Sequence, residues 1–182
     1  CGWRTRWVGL LALCLVTASA VFGAEPREVR VDFSQAAGRL RPLHGVNKGP
    51  LAPGGLIDLT AELQVLRPPS LRLHDCHWPN PDVVDIHVVF PNPEADPERP
   101  ESYDFAATDE YLLAAQRTGA QLVYRLGESI EHTLRKRFVH PPRDPVRWAR
   151  ICAGIVRHYN EGWAGGFRLG IRDWEIWNEP EN

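Results

Sequence analysis

Trp174-Glu175-Ile176-Trp177-Asn178-Glu179-Pro180-Glu181-Asn182 is an aromatic and β-branched run that breaks off at Asn-Glu-Pro. The run reads as a buried strand. Pro180 has no N–H to give a sheet ladder, so the strand is expected to stop there. Its C-terminal tip then presents an amide and a carboxyl group side by side, walled by indoles, which makes Glu179 a candidate proton-transfer group whose pKa burial is expected to raise. Neighbouring residues on a regular strand face opposite ways. For Asn178 and Glu179 to share a pocket, the backbone must bulge or break at 177–179. A plain strand-terminating turn is the simpler alternative for the same residues.

Working back from that strand, the chain alternates strands and helices. Residues 29–33 alternate apolar and charged side chains, as a half-exposed strand does, and Gly38 then breaks the chain. Residues 40–46 are a second strand candidate, interrupted by Pro42. Residues 56–66 carry apolar side chains at 56, 59, 63 and 66, a helical stripe ended by Pro68-Pro69. Residues 70–74 read as a strand, followed by a long Pro- and Asp-rich loop from 75 to about 102. Thr108 is placed to cap a helix running to Arg117, with Gly119 just past its end. Residues 121–126 are a clear strand. Asp144-Pro145 is a cap followed by proline at the first helical position. That helix is expected to reach Tyr159, with Trp148, Ile151, Cys152 and Ile155 as its apolar face. Residues 171–177 form the last strand. No internal repeat is visible.

Strict alternation implies a parallel sheet covered by helices. The polar candidates Asn47, His74, Glu128 and Glu179 follow strands. That end carries the active site in a β/α barrel and in a doubly wound sheet alike, so order alone leaves both open. No G-x-G-x-x-G follows the first strand, which counts against a dinucleotide fold. The fold class expected is α/β, a (β/α)8 TIM barrel of which about strands 1–4 are present. A full barrel needs roughly 250 residues, against 182 here.

Composition narrows the function less. Hydrophobic content of 43% and charged content of 24% are ordinary for a globular protein. A net charge of -2 gives no support for nucleic-acid or anionic-membrane binding. Arg4 and Arg6, an apolar stretch over 8–16 and Ala18-Ser19-Ala20 read as a secretory leader. The apolar stretch is shorter than the roughly 20 residues a membrane span needs. Cleavage after Ala20 would move the net charge from -2 to -4, and the expected location is secreted, extracellular or periplasmic. It would also remove Cys1 and Cys14. Cys76 and Cys152 remain, each read as a small buried hydrophobe rather than a bridge partner. The expected domains are thus the leader (1–20), an N-terminal strand segment that could belong to an accessory β-domain (21–39), and half a catalytic barrel (40–182).

Trp177-Asn178-Glu179-Pro180 resembles the acid/base signature of the clan A glycoside hydrolases, (β/α)8 barrels in which Asn-Glu closes the fourth strand. Leu71-Arg72-Leu73-His74 resembles the second-strand Arg-x-His of glycoside hydrolase family 39, the β-xylosidase and α-L-iduronidase family. Tyr103-Asp104-Phe105 with Thr108-Asp109-Glu110-Tyr111 is similar to that family's entry into its second helix. His158-Tyr159-Asn160 is similar to the segment before its fourth strand. The resemblance covers residues 43–182.

This resemblance implies a secreted retaining enzyme acting on O-glycosidic bonds. Its substrate would be an oligo- or polysaccharide or an aryl or alkyl glycoside, with β-xylosides expected first. It implies no cofactor and no metal. Retaining hydrolysis needs an acid at the leaving oxygen and a second carboxylate about 5–5.5 Å away. Glu179 fits the acid/base. The nucleophile is expected beyond the chain end, so this chain alone is expected to be inactive. Asn178 is expected on the sugar 2-hydroxyl, and Arg72 beside the nucleophile, holding it ionised. An internal ion pair is the alternative for Arg72, with Glu175, two residues before Trp177 and on the same face, as a possible partner. Glu175 is expected to pair with Arg125 in a structural role. His74, His44, Glu128 and Trp78 are substrate-binding candidates. His74 and Glu128 have satisfied or solvated structural roles as alternatives, and Trp78 and Phe90 are either sugar platforms or loop pins. His132 reads as a solvated loop residue. Asn47 is read as a turn residue. Lys48 and Arg125 are the cations that would suit a uronate. His74-Asp75-Cys76-His77 with Asp82, Asp85 and His87 offers metal-ligand types but matches no zinc spacing. The alternatives to the enzyme are a non-catalytic carbohydrate-binding barrel and a clan A endo-glycanase of another family.

Overall fold

The structure, a computed structural model, describes residues 27–35, 38–52, 56–79, 81–129, 134 and 140–179. The leader, His132 and Pro180 lie outside them. The chain divides into two units, residues 1–39 and 40–182. In the first, residues 29–33 are exposed and irregular where alternation predicts a strand. Asp32 Oδ1 instead accepts from the backbone N–H and hydroxyl of Ser34, which closes a turn.

The second unit runs β1 (Val46–Asn47), α1 (Thr60–Leu66), β2 (Ser70–Leu73), α2 (Ile86–Val89), α3 (Ala106–Arg117), β3 (Gln121–Leu126), α4 (Pro145–Asn160) and β4 (Asp173–Ile176). The strands form one parallel sheet in the order β1-β2-β3-β4, with Asn47 opposite Arg72, Arg72 opposite Val123, and Arg125 opposite Glu175. A doubly wound sheet reverses its strand order at a switch point. These four strands do not.

Alternation sets the two faces. Leu71, Leu73, Leu122, Tyr124 and Leu126 are buried with Tyr111, Leu112, Ile155 and Tyr159 from the helices. Tyr124 lies 5.8 Å from Tyr159 and 5.3 Å from Trp174, ring centre to ring centre. The residues between them, Arg72, Arg125 and Glu175, therefore share the opposite face. Asp144 caps α4 as expected: Oδ1 accepts from Val146 and Arg147 N–H at 3.0 Å, with Pro145 at the first position. Gly154 admits the Tyr103 phenol, since any Cβ there would collide with it.

Several boundaries move. The first strand is two residues, and α1 starts at Thr60, whose N–H bonds the Asp58 side chain. Thr108 does not cap α3. It lies inside the helix, fully buried, and its hydroxyl donates to the Val83 carbonyl at 2.6 Å. The long loop contains α2 and a 3-10 turn at Pro100–Ser102. The segments at 103–111 and 158–160 pack on each other. Phe105 stacks on His158 at 3.5 Å, and His158 Nε2 meets Asp109 Oδ1 at 2.9 Å.

Candidate active site

All four strands leave the sheet at their C-terminal ends through left-handed backbone: Lys48 (φ 71), Asp75 (φ 52), Gly127 (φ 112) and Trp177 (φ 65). Glycine adopts this region freely, while a bulky residue there is an outlier. Gly127 is required twice over, because a Cβ would come within 2.7 Å of the Trp177 indole. After β4 the break is double, since Glu179 is also left-handed (φ 44). Such strain costs on the order of 1–3 kcal/mol per residue and collects at functional sites. The backbone break expected at 177–179 is present. Asn178 is buried, but Glu179 is exposed, which corrects the burial expected of its carboxyl group.

The break brings Asn178 to the Arg72 face. Arg72 Nε donates to Glu175 Oε2 at 2.6 Å, and its Nη2 to Glu175 Oε1 at 2.5 Å and Asn178 Oδ1 at 2.7 Å. The Glu175 hydrogen bond, opposed by burial, holds the Arg72 guanidinium above its ordinary value, with smaller contributions from the charges of Glu175, Asp75 and Glu179. Hydrogen bonds from Arg72 hold the Glu175 carboxyl below the usual carboxylate range, against the opposing pull of burial. The expected pairing of Glu175 with Arg125 is therefore corrected. Glu175 pairs with Arg72, which lies diagonally across β3 on the same face.

Arg125 has a different partner. It is fully buried, donates to Asp85 Oδ1, and reaches Ser129 Oγ at 3.1 Å. Ser129 N–H closes the network on Asp85 Oδ2 at 2.5 Å. Burial pushes the Asp85 carboxyl up to about 6, with Arg125 opposing. Arg125 is thus committed inside the protein and does not present a cation for a uronate. Its Nε and Nη1 have no partner among the described residues.

The other candidates divide. His74 follows β2 beside Asp75, with Nε2 and Oδ1 3.4 Å apart, and burial holds its imidazole below the ordinary value. A neutral ring is therefore favoured. Glu128 is not a solvated loop residue. It is buried at the tip of β3 and hydrogen-bonded to His87 Nδ1. Trp78 packs against the hydrophobic core, and Phe90 is buried edge-on to Tyr103 at 4.8 Å. His44 is a correction: it precedes β1 and meets the Arg67 carbonyl at 3.2 Å, ahead of β2. That is the N-terminal end of the sheet, away from the strand tips.

Sequence reasoning missed His87 as the partner of Glu128, and Asp85 as that of Arg125. Their separations, 41 and 40 residues, leave no local signal. Of the metal-type residues in the long loop, Asp85 and His87 come together with Glu128, their ligand atoms within 4.8 Å of one another. Arg125 already occupies Asp85, and a guanidinium there opposes a second cation. A cavity of about 630 Å3 opens beside the pair, lined by His87, Phe90, Glu128, Trp148 and Trp177 among others. That is the size of a small-molecule pocket, roughly 300–1,000 Å3. At the strand tips the Asn178 amide and the Glu175 carboxylate lie on the Arg72 guanidinium, groups able to hold a polar ligand, and Glu179, next in the chain, is exposed.

A search of solved structures finds a glucosidase from Croceicoccus marinus, with a TM-score of 0.66 and 27% identity. The match covers 81% of this chain and 30% of the glucosidase chain. Family models and curated proteins show no match. With its four parallel strands in sequential order, this chain has a glycoside-hydrolase-like α/β fold.

Proposed function

We propose that this chain is part of a retaining glycoside hydrolase built on a (β/α)8 barrel, with Glu179 as acid/base. The observation that supports the reading is the left-handed break at 177–179, which brings Asn178 onto Arg72 and leaves Glu179 exposed at the tip of β4. In the first step Glu179 protonates the leaving oxygen while a second carboxylate attacks the anomeric carbon. In the second step Glu179, now ionised, takes a proton from water, and the water oxygen displaces the enzyme from the sugar. The second carboxylate comes from a strand outside these 182 residues, close to Arg72, whose charge favours its ionised form. Asn178 bonds the sugar 2-hydroxyl, and His74 contacts neighbouring hydroxyls. β-Xylosides and glucosides are the first substrates to test, the former from the motif resemblance and the latter from the glucosidase match. The leader reading makes it a secreted enzyme.

The test uses the complete gene product on 4-nitrophenyl and 2,4-dinitrophenyl glycosides of xylose and glucose. Glu179→Gln is expected to lower turnover of the 4-nitrophenyl glycoside by about 100-fold or more, the usual weight of general acid catalysis. The loss should be much smaller in the sugar-transfer step of the dinitrophenyl glycoside, whose leaving group departs without a proton. Equal activity of the variant on both would remove Glu179 from this role. Sugar binding without turnover would favour a binding barrel instead.

A further inference from the structure

We infer that Glu175 is a positioning residue, which through Arg72 locks the Asn178 amide so that its Nδ2 is the group left for the substrate. The inference rests on the proposed contact between Asn178 and the sugar 2-hydroxyl. Arg72 carries only donors. Whatever faces its Nη2 at 2.7 Å must accept, so the Asn178 amide is oriented by chemistry, with Oδ1 toward Arg72. Nδ2 is thereby left to donate, and the position it serves must carry an acceptor. An amide free to flip would offer either group and select neither.

Glu175 keeps Arg72 in place for this. Its two carboxylate oxygens take Nε and Nη2 in a two-point clamp, a geometry that fixes the guanidinium plane as well as its position. Nη2 is shared between Glu175 and Asn178, so a shift of the clamp moves the bond that orients the amide. The groups acting electrostatically on Glu175 are Arg72, His74 and Arg125. Arg125 is held by Asp85, and His74 favours the neutral ring. Arg72 is thus the partner that responds when Glu175 changes. The pair is about one-third exposed on each side chain. An ion pair that wet contributes little to stability, so its removal is expected to register in recognition more than in folding.

The experiment uses the complete gene product with Glu175→Gln, Asn178→Ala and the double variant. The substrates are a 4-nitrophenyl glycoside that the parent protein cleaves and its 2-deoxy counterpart. The readout is the ratio of the two kcat/KM values, with the thermal midpoint as a control. Glu175→Gln is expected to cut the preference for the 2-hydroxyl substrate about tenfold, the weight of one hydrogen bond, with an unchanged midpoint. The double variant should lose no more than Asn178→Ala alone. If Asn178→Ala loses the preference and Glu175→Gln keeps it, or the two losses multiply, the inference is overturned while the role of Asn178 stands. If Asn178→Ala keeps the preference, the 2-hydroxyl contact itself is wrong and the inference falls with it. Should Glu175→Gln fail to fold, Glu175→Asp keeps the charge and withdraws it by one methylene. It is expected to lower the same ratio in the same direction, and an unchanged ratio overturns the inference equally.

Discussion

Arg72 and Arg125 lie on one face of adjacent strands, yet burial gives them opposite tasks. Arg125 is dry and its partner Asp85 is equally so. Breaking a buried pair by removing one charge costs about 3–5 kcal/mol, because the survivor is left uncompensated. Asp85→Asn is therefore expected to destabilise by that order, measured as a loss of unfolding free energy in denaturant. Substitutions at the partly exposed Arg72–Glu175 pair should cost under about 1 kcal/mol. His87 provides a pH signature. The hydrogen bond to Glu128, opposed by burial, holds its imidazole above the ordinary value. A raised folded value means the contribution is complete below about 6.5. It is lost as pH rises through the raised value. Glu128→Gln should flatten the fall in thermal midpoint across that window, and an unaltered pH profile would count against the pairing.

At the level of elements, α4 shows how far local rules reach. Asp144 and Pro145 set its start, and Ile151, Cys152 and Ile155 bury the face expected of them. The cap is local and exposed, so Asp144→Ala should cost about 1 kcal/mol, read by thermal or urea unfolding. Gly154→Ala is expected to cost more despite alanine's better helix propensity, because the new methyl meets the Tyr103 phenol. The first unit shows where local rules fail. Alternation over 29–33 describes a strand but does not supply a neighbour to pair with, and a strand without a ladder does not persist. α1 is shorter than its apolar stripe for a related reason. Asp58 accepts the Thr60 N–H and starts the helix there, leaving Leu56 and Ile57 ahead of it.

Taken as a whole, the sheet has open edges at β1 and β4 among the described residues. Leu56, Val65, Leu66 and Ile176 are all more than half exposed. Unpaired edges and bare apolar side chains favour association. The 182-residue chain expressed alone is expected to bind a hydrophobic dye such as ANS and to hydrolyse no aryl glycoside. Turnover that Glu179→Gln abolishes would show that these residues already hold both carboxylates. Among the described residues no helix is long and apolar enough to cross a membrane.

The alternation of β1 to β4 with α1, α3 and α4, the start of α4, the extent of β3 and the break after Ile176 were readable from sequence, while α2 and the absence of a strand at 29–33 were not. Each readable feature depends on residues a few positions apart: a cap, a proline, a period of two, an Asn-Glu-Pro stop. The partners across the sheet were not readable either. Which arginine takes Glu175, that Arg125 is sealed against Asp85, that His87 finds Glu128, and that His44 faces the wrong end all depend on parallel register and loop path. Those bring together groups 23 to 103 residues apart in the chain. Charge and residue type name the groups able to pair, while burial and distance select the pairs that form.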